Sequence, residues 1–325
     1  MKAIVQDHYG PAEVLGLRDV DVPTPGEGQV LVRVHAAGVD PGVWHLMNGL
    51  PYPVRLASGL RRPRSRVPGM DLAGVVAAVG PGVTGLAAGD EVYGTGVGTY
   101  AEYALAPAGR LAPKPRTLTF VEAAAVPVSG QTALTAVRDA GRVTAGQRVL
   151  VIGAGGGVGA FALQLARAAG AHVTGVCRTD KIDLVRSLGA DDILDHTRED
   201  VVVPGRRYDV VVDTGGNRAL AHLRRALTPT GTLVLVGGEA VGGTWLRGFD
   251  RQLRAMLLSP LVRQRLVPLV AKEGTANLAA LTALIEAGAV RPVVERTYPL
   301  AEAADAVRHV ERGRTRGKVV VTTVG

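Results

Sequence analysis

The spacing of apolar and polar positions changes character near Ser129. Before it, short runs of apolar and β-branched residues stand between glycines and prolines. They predict strands over 2–6, 29–36, 72–79, 91–94 and 101–105. The turn Gly80-Pro81-Gly82 and the stretch Gly89-Asp90-Glu91-Val92 space these strands as in a small β-barrel domain. After Ser129, strand-length apolar runs at 148–152, 172–177, 209–213, 232–236 and 266–270 alternate with helix-length amphipathic stretches at 158–169, 181–188 and 219–227. That alternation is the pattern of βαβ units, a parallel sheet covered by helices. The remainder reads as a helix at 277–287, a strand at 293–296, a helix at 300–312 and a strand at 318–322. A closing strand after a doubly wound unit is expected to return to the first domain. The expected division is therefore 1–127 with 273–325 around an inserted domain at 128–272, and the fold class is α/β.

Composition narrows the class. With 47% hydrophobic and 20% charged residues in 325, the chain can bury a core. No apolar run approaches the roughly 18 residues a membrane span needs. The opening Met1-Lys2-Ala3-Ile4-Val5-Gln6-Asp7 has no signal-like apolar stretch, so a cytoplasmic protein without membrane contact is expected. Cys177 is the single cysteine, which excludes an intramolecular disulfide, a Cys-rich zinc lobe and an iron–sulfur cluster. The net charge of +8 raises the question of a nucleic-acid partner. The charges are scattered, however, and 32 of the 37 basic residues are arginine, a compositional bias rather than a patch. Nucleic acid is thus not the expected partner. The densest run, Arg61-Arg62-Pro63-Arg64-Ser65-Arg66, reads as a solvated loop able to attract anions.

Chemistry enters after the run Arg148-Val149-Leu150-Val151-Ile152. Gly153-Ala154-Gly155-Gly156-Gly157-Val158-Gly159 follows at once and leads into an apolar helix. Glycines without β-carbons let backbone N–H groups approach a pyrophosphate, and the helix N-terminus adds partial positive charge. The order strand, glycine turn, helix makes this a Rossmann dinucleotide site, with tight packing alone as the competing account. At the end of the next strand, where an acid would grip a ribose 2′-OH, stand Arg178-Thr179-Asp180-Lys181. Arg178, Thr179 and Lys181 suit a 2′-phosphate, so NADPH is expected, with NADH admissible because Asp180 is near. Thr214, Gly215 and Gly237, in loops that end later strands, are expected to border the nicotinamide and its ribose, with turn formation as the alternative.

At this point the chain resembles the medium-chain dehydrogenase/reductase superfamily, in its zinc-free quinone oxidoreductase branch. The likeness runs through Ala36-Ala37-Gly38-Val39-Asp40-Pro41, Pro68-Gly69-Met70-Asp71-Leu72-Ala73-Gly74, Val126-Pro127-Val128-Ser129-Gly130-Gln131-Thr132-Ala133, Leu188-Gly189-Ala190-Asp191 and Arg316-Gly317-Lys318-Val319-Val320. It implies a GroES-like β-barrel domain interrupted by a Rossmann domain, with the active site in the cleft between them and a homodimer built through Rossmann sheets. Zinc-using members carry a Cys soon after Gly-Val and a Gly-His-Glu, where this chain has Asp40 and Gly69-Met70-Asp71. No metal site is expected. Without a Lewis acid, hydride goes most readily to an acceptor whose conjugation spreads the developing charge, a quinone or an α,β-unsaturated carbonyl.

By resemblance, Ser129 and Thr132 contact the nicotinamide end of the cofactor and Lys318 reaches the cleft; helix capping competes for Ser129 and a solvated place at the strand edge for Lys318. Tyr52, one residue later than in related enoyl reductases, is a candidate proton donor, and His45 a candidate relay, against an aromatic that merely lines the pocket and a histidine of surface or core. Asp40 replaces the amide of the relatives' Asn-Pro, so it is a candidate to orient a donor or bind ribose; a turn-forming aspartate before proline competes. Two rivals stand beside the reductase. One is a ketone or aldehyde reductase of the same fold. The other is a non-catalytic, zeta-crystallin-like NADPH-binding protein with nucleic-acid affinity.

Overall fold

A computed structural model describes residues 1–237 and 249–323; Gly238, which follows Gly237 in the loop expected to border the nicotinamide, lies outside them. In chain order the strands are β1 (Lys2–Val5), β2 (Gly16–Asp19), β3 (Gln29–Val39), β4 (Asp71–Val79), β5 (Glu91–Thr95), β6 (Tyr103–Pro107) and β7 (Leu111–Pro113). Then come β8 (Arg148–Ile152), β9 (His172–Cys177), β10 (Asp192–Asp195), β11 (Tyr208–Asp213), β12 (Leu227–Leu235), β13 (Arg265–Pro268), β14 (Val294–Pro299) and β15 (Lys318–Thr322). The chain forms two compact units. One joins Met1–Gln131 to Glu273–Gly288 and Pro292–Gly325; the other joins Thr132–Lys272 to Ala289–Arg291.

In the first unit a seven-stranded sheet runs β14-β15-β3-β4-β5-β7, with β6 also paired to β3. Its long strand β3 sits between β15, β4 and β6, all antiparallel to it, so its backbone edges are paired along most of its length. The valines Val30, Val32 and Val34 of β3, with Leu72, Val92 and Val321, form the centre of the core. β15 lies deep in this sheet although Val39 and its partner Val319 come from opposite ends of the chain. Register decides where the polar groups of these strands fall. Val319 pairs with Val39, and Ala36 with Ala73, so the residues just beyond these pairs, Lys318, Asp40 and Asp71, converge at one end of the three strands.

The second unit is a six-stranded parallel sheet in the order β10-β9-β8-β11-β12-β13. The central strands β8, β9 and β11 are buried almost throughout, which is why they read as continuous apolar runs rather than alternating ones. Strand order reverses beside β8, between β9 and β11, and in such sheets ligands bind outside the carboxyl ends of the strands at that point. The helix after β8, Gly157–Ala168, buries Phe161, Leu163 and Leu165. Among the described residues no helix is long and apolar enough to cross a membrane.

Candidate functional site

At the switch point, β8 ends at Ile152 and the chain turns through Gly153 to Gly156 into the helix Gly157–Ala168. Gly153 has a φ of 82°, and a β-carbon there would lie 2.4 Å from Thr214 Oγ1, so backbone and neighbour both exclude a side chain. Gly159 serves packing: a β-carbon would come within 2.1 Å of the Gly153 carbonyl oxygen. Gly156 occupies the N-cap, and no side chain caps this helix. The N–H groups of Gly157, Val158 and Gly159 therefore have no acceptor within the helix, and the helix dipole adds to their positive end. This is what a pyrophosphate requires, so a dinucleotide fits these residues.

The segment after β9 frames the same turn. The stem of Lys181 lies against it: a β-carbon on Gly155 would sit 2.8 Å from Lys181 Cδ. Arg178 is half-buried and pairs with Asp180 at 3.4 Å. Thr179 is committed elsewhere, its hydroxyl donating to Asp195 Oδ2 at 2.5 Å. Thr197 donates its hydroxyl and its backbone N–H to Asp195 Oδ1 at 2.7 and 3.0 Å. The Thr179 hydrogen bond, with those of Thr197, pulls the Asp195 carboxyl down to about 2. Asp195 escapes sequence reasoning because β10 is a short strand at the sheet edge with no long apolar run.

Beyond β11, Thr214 donates its hydroxyl to the Ile152 carbonyl at 2.7 Å, which ties the expected nicotinamide-side loop to the strand carrying the glycine turn. Asp213 Oδ1 accepts from the N–H groups of Gly215 and Gly216 at 3.1 and 3.3 Å, and Asp213 Oδ2 from Arg251. Asp213 is wholly buried, and its partner stands on the helix Phe249–Leu258, whose contacts only the folded chain reveals. Gly237 approaches the same loop so closely that a β-carbon would lie 2.7 Å from the Thr214 carbonyl oxygen.

A second cluster lies in the first unit, where β15, β3 and β4 converge. Lys318 Nζ donates to Asp40 Oδ1 at 2.5 Å and to Asp71 Oδ2 at 3.0 Å. Ser129 donates its hydroxyl to Asp40 Oδ1 at 3.1 Å, and the Val128 N–H donates to Asp71 Oδ1 at 2.8 Å. Side-chain exposure is 3% for Lys318, 5% for Asp40 and 0% for Asp71, so solvent does not screen these charges. Gly38 makes room: a β-carbon would fall 2.5 Å from Asp71 Oδ2. Burial and the charge of Asp40 push the Asp71 carboxyl well above the ordinary carboxylate range. Burial also acts to raise Asp40, but the charge of Lys318 and hydrogen bonds from Asp71, Lys318 and Ser129 outweigh it and hold Asp40 low. For Lys318 burial opposes the charge, and the two carboxylates overcome it, keeping the ammonium above the usual lysine value.

The sequence-predicted residues thus separate into groups. Asp40, Ser129 and Lys318 meet, together with Asp71. Asp40 stands at the N-cap of the helix Pro41–Asn48, yet its side chain caps nothing there and turns to Lys318 and Ser129 instead. Lys318 directs its ammonium to two buried carboxyl groups. His45, buried in that helix, bonds the Leu50 carbonyl through Nδ1 at 2.7 Å and so braces the turn after the helix. Tyr52 is 39% exposed, with the Arg55 guanidinium 5.0 Å from its ring centre. Thr132 is half-buried on the helix Pro127–Leu134. Among the described residues no group of three or more His, Cys, Asp or Glu side chains is placed to hold a metal ion.

Comparison with known proteins matches residues 26–116 to the alcohol dehydrogenase GroES-like domain and residues 188–321 to the zinc-binding dehydrogenase family. The chain is 33% identical to a chloroplast envelope quinone oxidoreductase homolog of Arabidopsis thaliana over 99% of its own length and 98% of that protein. Its fold matches the quinone oxidoreductase from Coxiella burnetii with a TM-score of 0.87, 29% identity and coverage of 100% and 99% of the two chains. A mycobacterial protein whose structure was determined in complex with NADPH matches with a TM-score of 0.84 and 29% identity, over 99% of this chain and 100% of that one.

Proposed function

The chain belongs to the quinone oxidoreductase-like branch of the medium-chain dehydrogenase/reductase superfamily, and on that premise we propose a zinc-independent, NADPH-dependent reductase of quinones or α,β-unsaturated carbonyl compounds. It is an oxidoreductase that uses a nicotinamide cofactor. The observation that carries the proposal is the uncapped, glycine-lined start of the helix Gly157–Ala168, with Lys181 against the turn and Arg178 at the end of the next strand. Gly157, Val158 and Gly159 present N–H donors to the pyrophosphate. Arg178 and Lys181 bind a 2′-phosphate, which a carboxylate in their place would repel. Thr214, Gly215 and Gly237 shape the nicotinamide side.

Zinc does not fit this chain. Asp40 and Asp71, at the positions where zinc-using relatives carry ligands, already share the ammonium of Lys318, and a metal would have to displace a buried cation that both carboxyl groups contact. Bound NADPH supplies the hydride. The protein aligns cofactor and acceptor, and an acceptor that delocalises the developing charge needs only hydrogen-bond donors. Tyr52 is proposed as the donor that protonates the resulting enolate or phenolate, while His45 braces the turn before it. Lys318 acts by holding Asp40 and Asp71 rather than as a cofactor ligand.

A second copy of the chain is the proposed partner. β13 is an edge of the six-stranded sheet, and Leu253, Met256, Leu257 and Leu261 beside it are more than half exposed. Sedimentation at several concentrations tests the dimer. The function is tested by oxidation of NADPH and NADH with a quinone, an enone and the corresponding saturated ketone, on chelator-treated protein. Turnover of the quinone or enone with NADPH is expected. Turnover of the saturated ketone alone, or loss of turnover to the chelator, would refute the assignment.

A further inference from the structure

The cluster at the end of β15, β3 and β4 contains one ammonium and two carboxyl groups, and nothing in the dinucleotide chemistry uses it. Its charge balance is constrained. With both carboxyl groups ionised, the site would carry one uncompensated negative charge at 0–5% exposure, a state that burial strongly disfavours. With one neutral, the charges cancel. Geometry says which one. Asp40 receives the shorter contact from Lys318 and, on the same oxygen, the Ser129 hydroxyl. Its other oxygen, Asp40 Oδ2, is fully buried and has no hydrogen-bond partner among the described residues. The carboxyl group of Asp71 lies on the same ammonium as that of Asp40, at 3.0 and 2.5 Å, and a neutral Asp71 has an O–H to offer.

We propose that Asp40, Asp71 and Lys318 form a one-proton clasp, in which Asp71 carries the proton, Asp40 and Lys318 are ionised, and the clasp positions the segment bearing Val128 and Ser129. Asp71 receives the Val128 N–H and Asp40 the Ser129 hydroxyl, so the first turn of the helix Pro127–Leu134 is moored to both carboxyl groups. The groups facing the clasp are Lys318 from β15, Asp40 from the start of the helix Pro41–Asn48, and Tyr100. The Tyr100 phenol donates to the Gly38 carbonyl and is pushed well above its ordinary value by burial and both aspartates, so it stays neutral. Loss of the Asp71 proton sets two carboxylates against each other and loosens the mooring. Asp71 is thus a positioning residue. Its part in turnover rests on the reductase reading above; its protonation state does not.

Infrared difference spectroscopy of the full chain at neutral pH, without substrate or cofactor, tests the clasp directly. Wild type is expected to show the carbonyl stretch of a protonated carboxyl group, absent from Asp71→Asn and absent also from Asp40→Asn, where Asp71 becomes the sole counter-ion of Lys318 and ionises. A wild-type spectrum without that band, or a band that survives in Asp40→Asn, overturns the proposal. The wild-type spectrum alone decides if a variant fails to fold. For positioning, the KM for NADPH is expected to rise in wild type as the pH becomes alkaline and to stay flat over the same range in Asp71→Asn. Identical KM profiles would overturn the positioning role. Should no nicotinamide turnover be found, the function falls while the infrared result still stands or fails by itself.

Discussion

Replacing Lys318 with methionine keeps most of the side-chain volume and removes the charge, leaving Asp40 in a site of 5% exposure with no counter-ion. The variant has two ways out. Keeping an unpaired carboxylate buried costs about 3–5 kcal/mol. Taking up a proton costs about 1.4 kcal/mol for each pH unit above the ordinary aspartate value of 3.8, hence about 4 kcal/mol at pH 7 but under about 2 kcal/mol at pH 5. The cheaper route sets the loss at each pH. Its sign comes from proton linkage: by this route the folded variant holds a proton on Asp40 that folded wild type does not, so above pH 3.8 its stability relative to wild type falls as pH rises. Urea unfolding of both proteins at pH 7 and pH 5 measures the difference. A loss of about 3–4 kcal/mol at pH 7 that at least halves at pH 5 is expected. Equal losses at the two pH values, or a loss below about 1 kcal/mol at pH 7, would refute the buried ion cluster.

Gly159→Ala places a β-carbon 2.1 Å from the Gly153 carbonyl oxygen, a backbone atom with no room to yield; loss of dinucleotide binding together with a lowered unfolding midpoint is expected, read by cofactor titration and thermal melts. Arg178→Ala removes a cation from the proposed 2′-phosphate site and should raise the KM for NADPH about tenfold or more while moving that for NADH little, since only the charged contact is lost; equal effects on both cofactors would reject the assignment. Asp195, held at about 2, binds fewer protons folded than unfolded between about 2 and 3.8. Its contribution to stability is present above that window and lost as the pH falls through it, so Asp195→Asn should flatten the acid side of the stability curve there.

What can be read from the sequence is what local rules decide. β8 and β9 coincide with the runs at 148–152 and 172–177, because a strand buried on both faces leaves an unbroken apolar stretch. The glycine turn is legible for a similar reason: strand, turn and helix are contiguous, so the phosphate-binding geometry is written within a dozen residues. The helices Pro41–Asn48 and Pro127–Leu134 are not evident in the sequence; the first begins with Pro-Gly and the second contains an interior glycine, both of which read as breakers. Here tertiary contacts override propensity. The clasp is illegible as a unit. Asp40, Ser129 and Lys318 each stand out for separate roles, and only the β15–β3–β4 register, set by residues far apart in sequence, joins them to Asp71. The partner of Asp213 is hidden in the same way, since Arg251 lies 38 positions downstream on a different element.

The place of β15 beside β3 also bears on synthesis. On a ribosome adding about 5–20 residues per second, Val39 leaves the tunnel tens of seconds before Val319 is even made. Throughout that interval the end of β3 at Ala36 to Val39 offers an open flank of unpaired amides and carbonyls, an invitation to mispairing that Lys318–Thr322 eventually withdraws. The inserted sheet, whose strands all fall between Arg148 and Pro268, meets no such delay and can mature first. Nascent chains halted shortly before Lys318 should therefore be the ones that chaperones hold longest.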